Sequence, residues 1–154
     1  MKAGWLVIGV GNPDRGDDGL GPLVVRRLAE MELPGVTIIE RSGDGLALIE
    51  DWGGYDAVVL IDAAAPVGVP GRIHRLDLAG EELPVEFSRA STHAFGVAEA
   101  VRLARTLGRL PARAIVYAVE AVNFDAGAGL SAEVAAAVPA LLTHLAAELR
   151  THWP

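Results

Sequence analysis

Short apolar runs alternate with helical segments along the whole chain. WLVIGVG (Trp5 to Gly11) is apolar without interruption, the pattern of a strand covered on both faces. After a Gly/Asp-rich loop, PLVVRRLAEM predicts a helix with Pro22 in its first turn, where a missing N–H is harmless. VTIIE (Val36 to Glu40) reads as a second strand, and DGLALIEDW as a short helix closed by Gly53-Gly54. AVVLIDAAA contains a third strand, expected to end at Asp62. RIHRLDL (Arg72 to Leu78) alternates in polarity, which predicts an edge strand or hairpin arm with one exposed face. Ser91 or Thr92 is placed to cap a helix running to about Leu107, and RAIVYAVEA gives a fifth strand. Leu130 and Ser131 then fit a hydrophobic staple and an N-cap for a last helix. Pro139 inside that helix is expected to kink it. Strands alternating with helices predict an α/β three-layer sandwich: a mostly parallel, twisted, five-stranded sheet with helices on both faces, of the phosphorylase/hydrolase-like kind.

The 154 residues and 51% hydrophobic content suit one domain over residues 1–154 with a substantial core. No repeat, low-complexity tract or linker interrupts it. The absence of cysteine removes disulfides, thiolate nucleophiles and Cys-based metal sites together. A net charge of −7, from 20 acidic against 13 basic residues, disfavours nucleic acid as a partner. The spaced arginines Arg102, Arg105, Arg109 and Arg113 read as a solvated helix face. MKAGWLVIGVGN leads into a Gly-Asn-Pro turn without a small-residue cleavage pattern, so it fits a buried first strand better than a signal peptide. No run approaches the ~20 uninterrupted apolar residues of a membrane span. The expectation is a cytoplasmic protein with no membrane insertion.

In open α/β sheets, ligands bind beyond the carboxyl ends of the strands. That rule gathers Asp18 (loop after strand one), Asp62 (end of strand three) and His93 (start of the helix after strand four). Glu40 and Asp44 flank the loop after strand two and are candidates for the same crevice. The first loop fails as a dinucleotide fingerprint: Asp14 replaces the third glycine, Pro13 removes an N–H, and Asp17 and Asp18 would repel phosphate. No Gly-Lys-Ser/Thr follows for a P-loop. One aspartate of the adjacent pair is expected to cap the helix start, leaving the other to project into the crevice. Two carboxylates and one imidazole suit a divalent transition metal such as nickel or zinc, and three protein ligands leave positions open for water or a substrate group. His74, His144 and His152 are expected at the surface. Neither HExxH nor GxSxG occurs.

The segment GVGNPDRGDDGLGPLVVRRL resembles the opening of the hydrogenase maturation proteases, which process the large subunit of nickel–iron hydrogenases. VVLIDAAAP resembles the second motif of that family, SRASTHAFGVAEAV the third, and the last helix with its internal Pro139 is similar as well. The resemblance implies that Asp18, Asp62 and His93 are the metal ligands, with Asp18 and Asp62 also candidate catalytic residues. It implies an aspartic-type endopeptidase that removes the C-terminal tail of the large-subunit precursor after nickel insertion and so activates the hydrogenase. Nickel would arrive bound to the substrate, and other divalent ions such as zinc or cadmium would be able to occupy the ligands in vitro.

Two departures from the family pattern stand out. Where many members have Asp followed by glycines after strand two, this chain has Glu40-Arg41-Ser42-Gly43-Asp44-Gly45, so a catalytic role there falls on Glu40. Asp18 stands where many members have Glu, one methylene shorter. The competing enzyme reading is a peptidyl-tRNA hydrolase, which shares a strand followed by Gly-Asn-Pro. Here Asp14 follows Pro13, and Asp17-Asp18-Gly19 occupies the region that would carry the catalytic histidine. A second alternative is a non-catalytic, metal-sensing chaperone that binds the precursor without cutting it.

Overall fold

The computed structural model describes residues 2–84 and 95–151. Its elements run β1 (Lys2–Val10), α1 (Leu20–Glu30), β2 (Val36–Arg41), α2 (Gly45–Trp52), β3 (Tyr55–Ala64), β4 (Ile73–Asp77), α3 (Val97–Leu107), β5 (Arg113–Glu120) and α4 (Ala132–Leu149). The strands form one sheet in the order β2-β1-β3-β5-β4. β1 pairs parallel with β2 and β3, and β3 pairs parallel with β5. Only β4 runs antiparallel, at the edge beside β5. The expected single exposed face is not found: Leu76 packs towards one core and Ile73 towards the other, and the strand is half-buried on both sides.

Strand side chains alternate between two cores. Leu6, Ile8, Val58, Leu60 and Val116 pack with Leu48 and Trp52 of α2 and Val97, Val101 and Ala104 of α3. Trp5, Val7, Val59, Ile61 and Ile115 pack with Leu20, Val24 and Leu28 of α1 and Val138, Leu141 and Leu145 of α4. Both faces of the central strands are therefore dry, which explains their continuous apolar runs. α4 is long and apolar enough to cross a membrane by length and composition, yet here one side of it forms part of the second core. Ser131 is its N-cap, accepting from the Val134 amide at 3.4 Å, and Pro139 lies within it.

Two boundaries differ from the sequence expectation. β3 continues past Asp62 to Ala64, because Ala63 and Ala64 keep pairing with Val119 and Glu120 of β5. α3 begins at Val97 with Gly96 as N-cap, later in the chain than the expected caps Ser91 and Thr92. Both of those residues lie outside the described part of the chain.

A buried carboxylate ties β4, β5 and α4 together. Glu148 accepts from Arg75 Nε at 2.7 Å, Tyr117 Oη at 3.0 Å and Arg113 at 3.1 Å. Burial alone would raise Glu148, but the hydrogen bonds from Arg75 and Tyr117, the Arg75 charge and the Arg113 hydrogen bond hold it below the ordinary carboxylate value. Burial and the Glu148 carboxylate together push the Tyr117 phenol up to about 12. A depressed carboxylate stabilises the fold above its unfolded value and loses that contribution as pH falls through its lower native value. Glu148→Gln should cost about 1–3 kcal/mol at neutral pH and flatten the acid limb of the stability curve. Thermal melts between pH 2 and 7 would show this, and an unchanged acid limb would contradict it.

Candidate active site

The loop after β1 is a sequence of tight local bonds. Gly11 has φ of 141°, a region open to glycine, and a Cβ there would run into the Asp18 carbonyl. Asn12 to Arg15 closes a turn through Arg15 N–H to the Asn12 carbonyl at 3.1 Å, with Pro13 in its second position. A single 3-10 turn follows at Gly16–Gly19, and it buries both aspartates. α1 then starts directly on the strand ends: a Cβ on Gly21 would lie 2.6 Å from the Ile61 carbonyl oxygen. The two small residues Gly9 and Gly21 let the loop reach the carboxyl end of β3.

The adjacent aspartates have separate tasks, and neither caps a helix. α1 has Gly19 as N-cap with no side-chain bond. Asp17 instead reaches across to the segment between β5 and α4. It accepts from the amides of Val122 (2.8 Å), Asn123 (3.2 Å) and Ser131 (2.7 Å) and from the Ser131 hydroxyl (3.0 Å). Asp18 turns the other way, its Oδ2 accepting from the Asn12 amide at 3.0 Å and from Arg15 at 3.2 Å. Arg15 also lies 5.3 Å from the centre of the Phe124 ring, which fixes this cation at the rim.

Asp62 sits on β3 in step with Val58, Leu60 and Ala64, hence on the α2/α3 face. Burial pushes its carboxyl well above the ordinary value, and the nearby Asp18 charge pushes it further, against an opposing hydrogen bond from the Ala63 backbone. Asp18 is already paired with Arg15, and its charge still weighs on Asp62, so a further cation beside the two would favour ionising both. Hard and borderline divalent ions accept such oxygen donors. His93 lies outside the described residues. Phe95, two residues further along the chain, is held at the start of α2, where Gly45 N–H bonds to the Phe95 carbonyl at 2.8 Å. Among the described residues no group of three metal-binding side chains is gathered.

Glu40 stands elsewhere. It pairs with Arg26 of α1 through two hydrogen bonds of 2.8 Å. Arg26 holds its carboxyl below the ordinary range, partly offset by burial. Ile38, two residues earlier, packs into the α1/α4 core, so Glu40 lies on the opposite face of the sheet from Asp62. The expectation that it faces the same crevice is corrected by strand parity. Asp44 is the N-cap of α2, accepting from the Leu46 amide. His74 is not a plain surface residue: its Nε2 lies 2.9 Å from Oε2 of the buried Glu120. Glu120 escaped the sequence reading, although it carries the same signal as Asp62, an acidic residue closing an apolar strand. Arg105 and Arg113 are likewise more than a solvated face. Arg105 donates to the Leu78 carbonyl at 2.7 Å, and Arg113 lies over the Trp5 ring as well as reaching Glu148.

Residues 22–148 match the family model described as hydrogenase maturation protease. The chain belongs to the hydrogenase maturation protease family. Its relatives include the hydrogenase expression/formation protein HupD of Rhodobacter capsulatus, 27% identical over 94% of this chain and 70% of HupD. The solved nickel–iron hydrogenase maturation protease HybD from Thermococcus kodakarensis superposes with a TM-score of 0.72 at 26% identity, covering 96% of this chain and 99% of that one. An endopeptidase from Escherichia coli reaches a TM-score of 0.82 at 28% identity, over 96% and 92% of the two chains.

For this hydrogenase maturation protease the ion pair of Glu40 leads to a specific expectation. Glu40→Gln breaks an exposed ion pair on the far face of the sheet and should leave precursor processing within about twofold of wild type. A loss of a hundredfold or more in a cleavage assay would restore Glu40 to the catalytic set.

Proposed function

We propose that this protein is the endopeptidase that removes the C-terminal tail from a nickel-loaded hydrogenase large-subunit precursor. Asp18, Asp62 and His93 would recognise the nickel carried by that substrate. The observation that supports the reading is a half-buried Asp62 near the carboxyl end of β3, close enough to Asp18 that burial and the Asp18 charge push its carboxyl up. The Asp18 charge opposes ionisation of Asp62. An arriving cation favours the doubly ionised form, so metal on the substrate doubles as the gate. Ionised Asp62 is then the candidate general base. It takes a proton from the water whose oxygen attacks the scissile carbonyl, and the proton passes to the leaving amine as the C–N bond breaks. This is an aspartic-type hydrolysis supported by the substrate's own metal. Zinc or cadmium added to the isolated protein should occupy the same ligands. A cytoplasmic location, where large-subunit precursors are made and filled, belongs to the same reading.

The test is incubation with nickel-loaded and nickel-free precursor, followed by mass measurement of the products. Loss of one defined C-terminal peptide from the loaded form alone is expected. Stable binding of loaded precursor with no change in mass would replace the peptidase with a metal-sensing chaperone.

A further inference from the structure

Beside Asp62 the chain builds a short apolar lip and fixes it with a buried carboxylate. β3 ends at Ala64, two residues beyond Asp62, and leads into Pro66-Val67-Gly68-Val69-Pro70-Gly71. Val67 and Val69 are 51% and 53% exposed, and the segment contains no charge in a chain of net charge −7. Its two prolines restrict the backbone. Glu120, the last residue of β5 and 1% exposed, holds the segment from below. Its Oε1 accepts both the Val67 and the Val69 amides at 3.1 Å, while Oε2 meets His74 Nε2 at 2.9 Å. The Glu120 main chain adds bonds from the Gly71 amide to its carbonyl (2.8 Å) and from its amide to the Arg72 carbonyl (3.0 Å).

This arrangement settles which way the valines face. Capturing two alternate amides in one buried carboxylate turns their N–H groups inward and their side chains out to water. Leaving two valines in water forgoes burial free energy that a soft polar loop would not forgo. The location gives the reason. Ala64 pairs with Glu120 and Asp62 with Ala118 in the β3–β5 register, so Glu120 and Asp62 are diagonal neighbours on the same face. Leu46 at the start of α2 (59% exposed) and Val122 after β5 (39%) leave the same end of the sheet. By contrast, the exposed Met31 and Leu107 lie at the far end, after α1 and α3.

We infer that Glu120 is a positioning residue that holds Val67 and Val69 out as a docking lip for an uncharged, apolar segment of the precursor polypeptide next to the bond that is cut. The inference rests on the peptidase reading of the Asp18–Asp62 site and deepens it. A substrate segment reaching Asp62 passes the strand end from which the lip projects, and an apolar, charge-free, stiffened surface selects apolar chain over acidic or basic chain. Val67 and Val69 govern affinity for the precursor, and Glu120 governs their presentation without touching substrate.

The test compares wild type, the double variant Val67→Ser/Val69→Ser, and Glu120→Ala against nickel-loaded precursor. Binding (Kd) and tail release (KM and kcat) are measured in parallel. The serine double variant, altered only at the surface, should keep its melting temperature, weaken Kd and raise KM at least tenfold, with a much smaller change in kcat. Glu120→Ala should raise KM similarly and accelerate hydrogen exchange at the Val67 and Val69 amides. Equal Kd and KM in wild type and the serine variant would overturn the lip while leaving the peptidase standing. A wild-type protein that neither binds nor cuts loaded precursor would overturn both.

Discussion

Asp62→Asn should lose tail release from loaded precursor by about 10²–10⁴-fold while making the isolated protein more stable at neutral pH. Asparagine keeps the shape of the side chain but removes the charge that burial and Asp18 oppose. The expected gain is about 1 kcal/mol, or roughly 2–4 °C in melting temperature for a domain of this size. The pH dependence has a definite sign. A carboxyl raised in the folded state holds its proton more tightly there than in the unfolded chain. Its contribution is therefore most favourable below the ordinary value of 3.8 and is lost as pH rises through the higher native value. The advantage of the variant should shrink towards pH 3.5 and be full at pH 8. Calorimetry in the presence of a chelator, alongside the cleavage assay, reads both effects. Undiminished processing would remove Asp62 from the chemistry, and a variant less stable than wild type at pH 8 would contradict the electrostatic account.

Asp17→Ala should have the largest effect on stability. The wild-type carboxylate is fully buried and accepts from three backbone amides and one hydroxyl. Removing it strands those donors in a dry interior and unfastens the loop after β1 from the start of α4. Breaking a buried charged network of this kind costs about 3–5 kcal/mol, which corresponds to a fall on the order of 10 °C in melting temperature. Asp18 follows Asp17 within the same 3-10 turn, so processing should also fall, even at temperatures where the variant stays folded. Asp17→Asn offers the contrast: its carbonyl oxygen still accepts, and a smaller loss is expected. If Asp17→Ala melts within 2 °C of wild type, the segment 122–131 is held by something other than this latch.

The architecture was legible because it follows from where apolar side chains fall. Continuous runs such as those of β1, β3 and β5 cannot be solvated on either face, so they demand covering helices on both sides and a parallel sheet. The stretch of β4, interrupted by polar residues, does sit at an edge, though Ile73 and Leu76 face opposite cores, and Ser131 announced the start of α4 through its own cap. The motifs likewise placed Asp18 and Asp62 at the carboxyl end of the sheet, since the strand-end rule is a property of the topology. Other features depend on which residues meet across long stretches of chain, and no local pattern encodes that. Asp17 and Asp18 are indistinguishable by type and spacing; their tasks separate because one faces the segment 122–131 and the other faces Asn12 and Arg15. Glu40 reads as a crevice residue in one dimension, but a two-residue step from Ile38 puts it against Arg26 on the other face. Glu120 acquires its role from Val67, Val69 and His74, at least 46 residues away in sequence. Local pattern decides what must be buried and where the chain must turn. Which carboxylate becomes a latch, an ion pair, a clamp or a reactive group is decided by its partners and by the water removed when distant segments pack together.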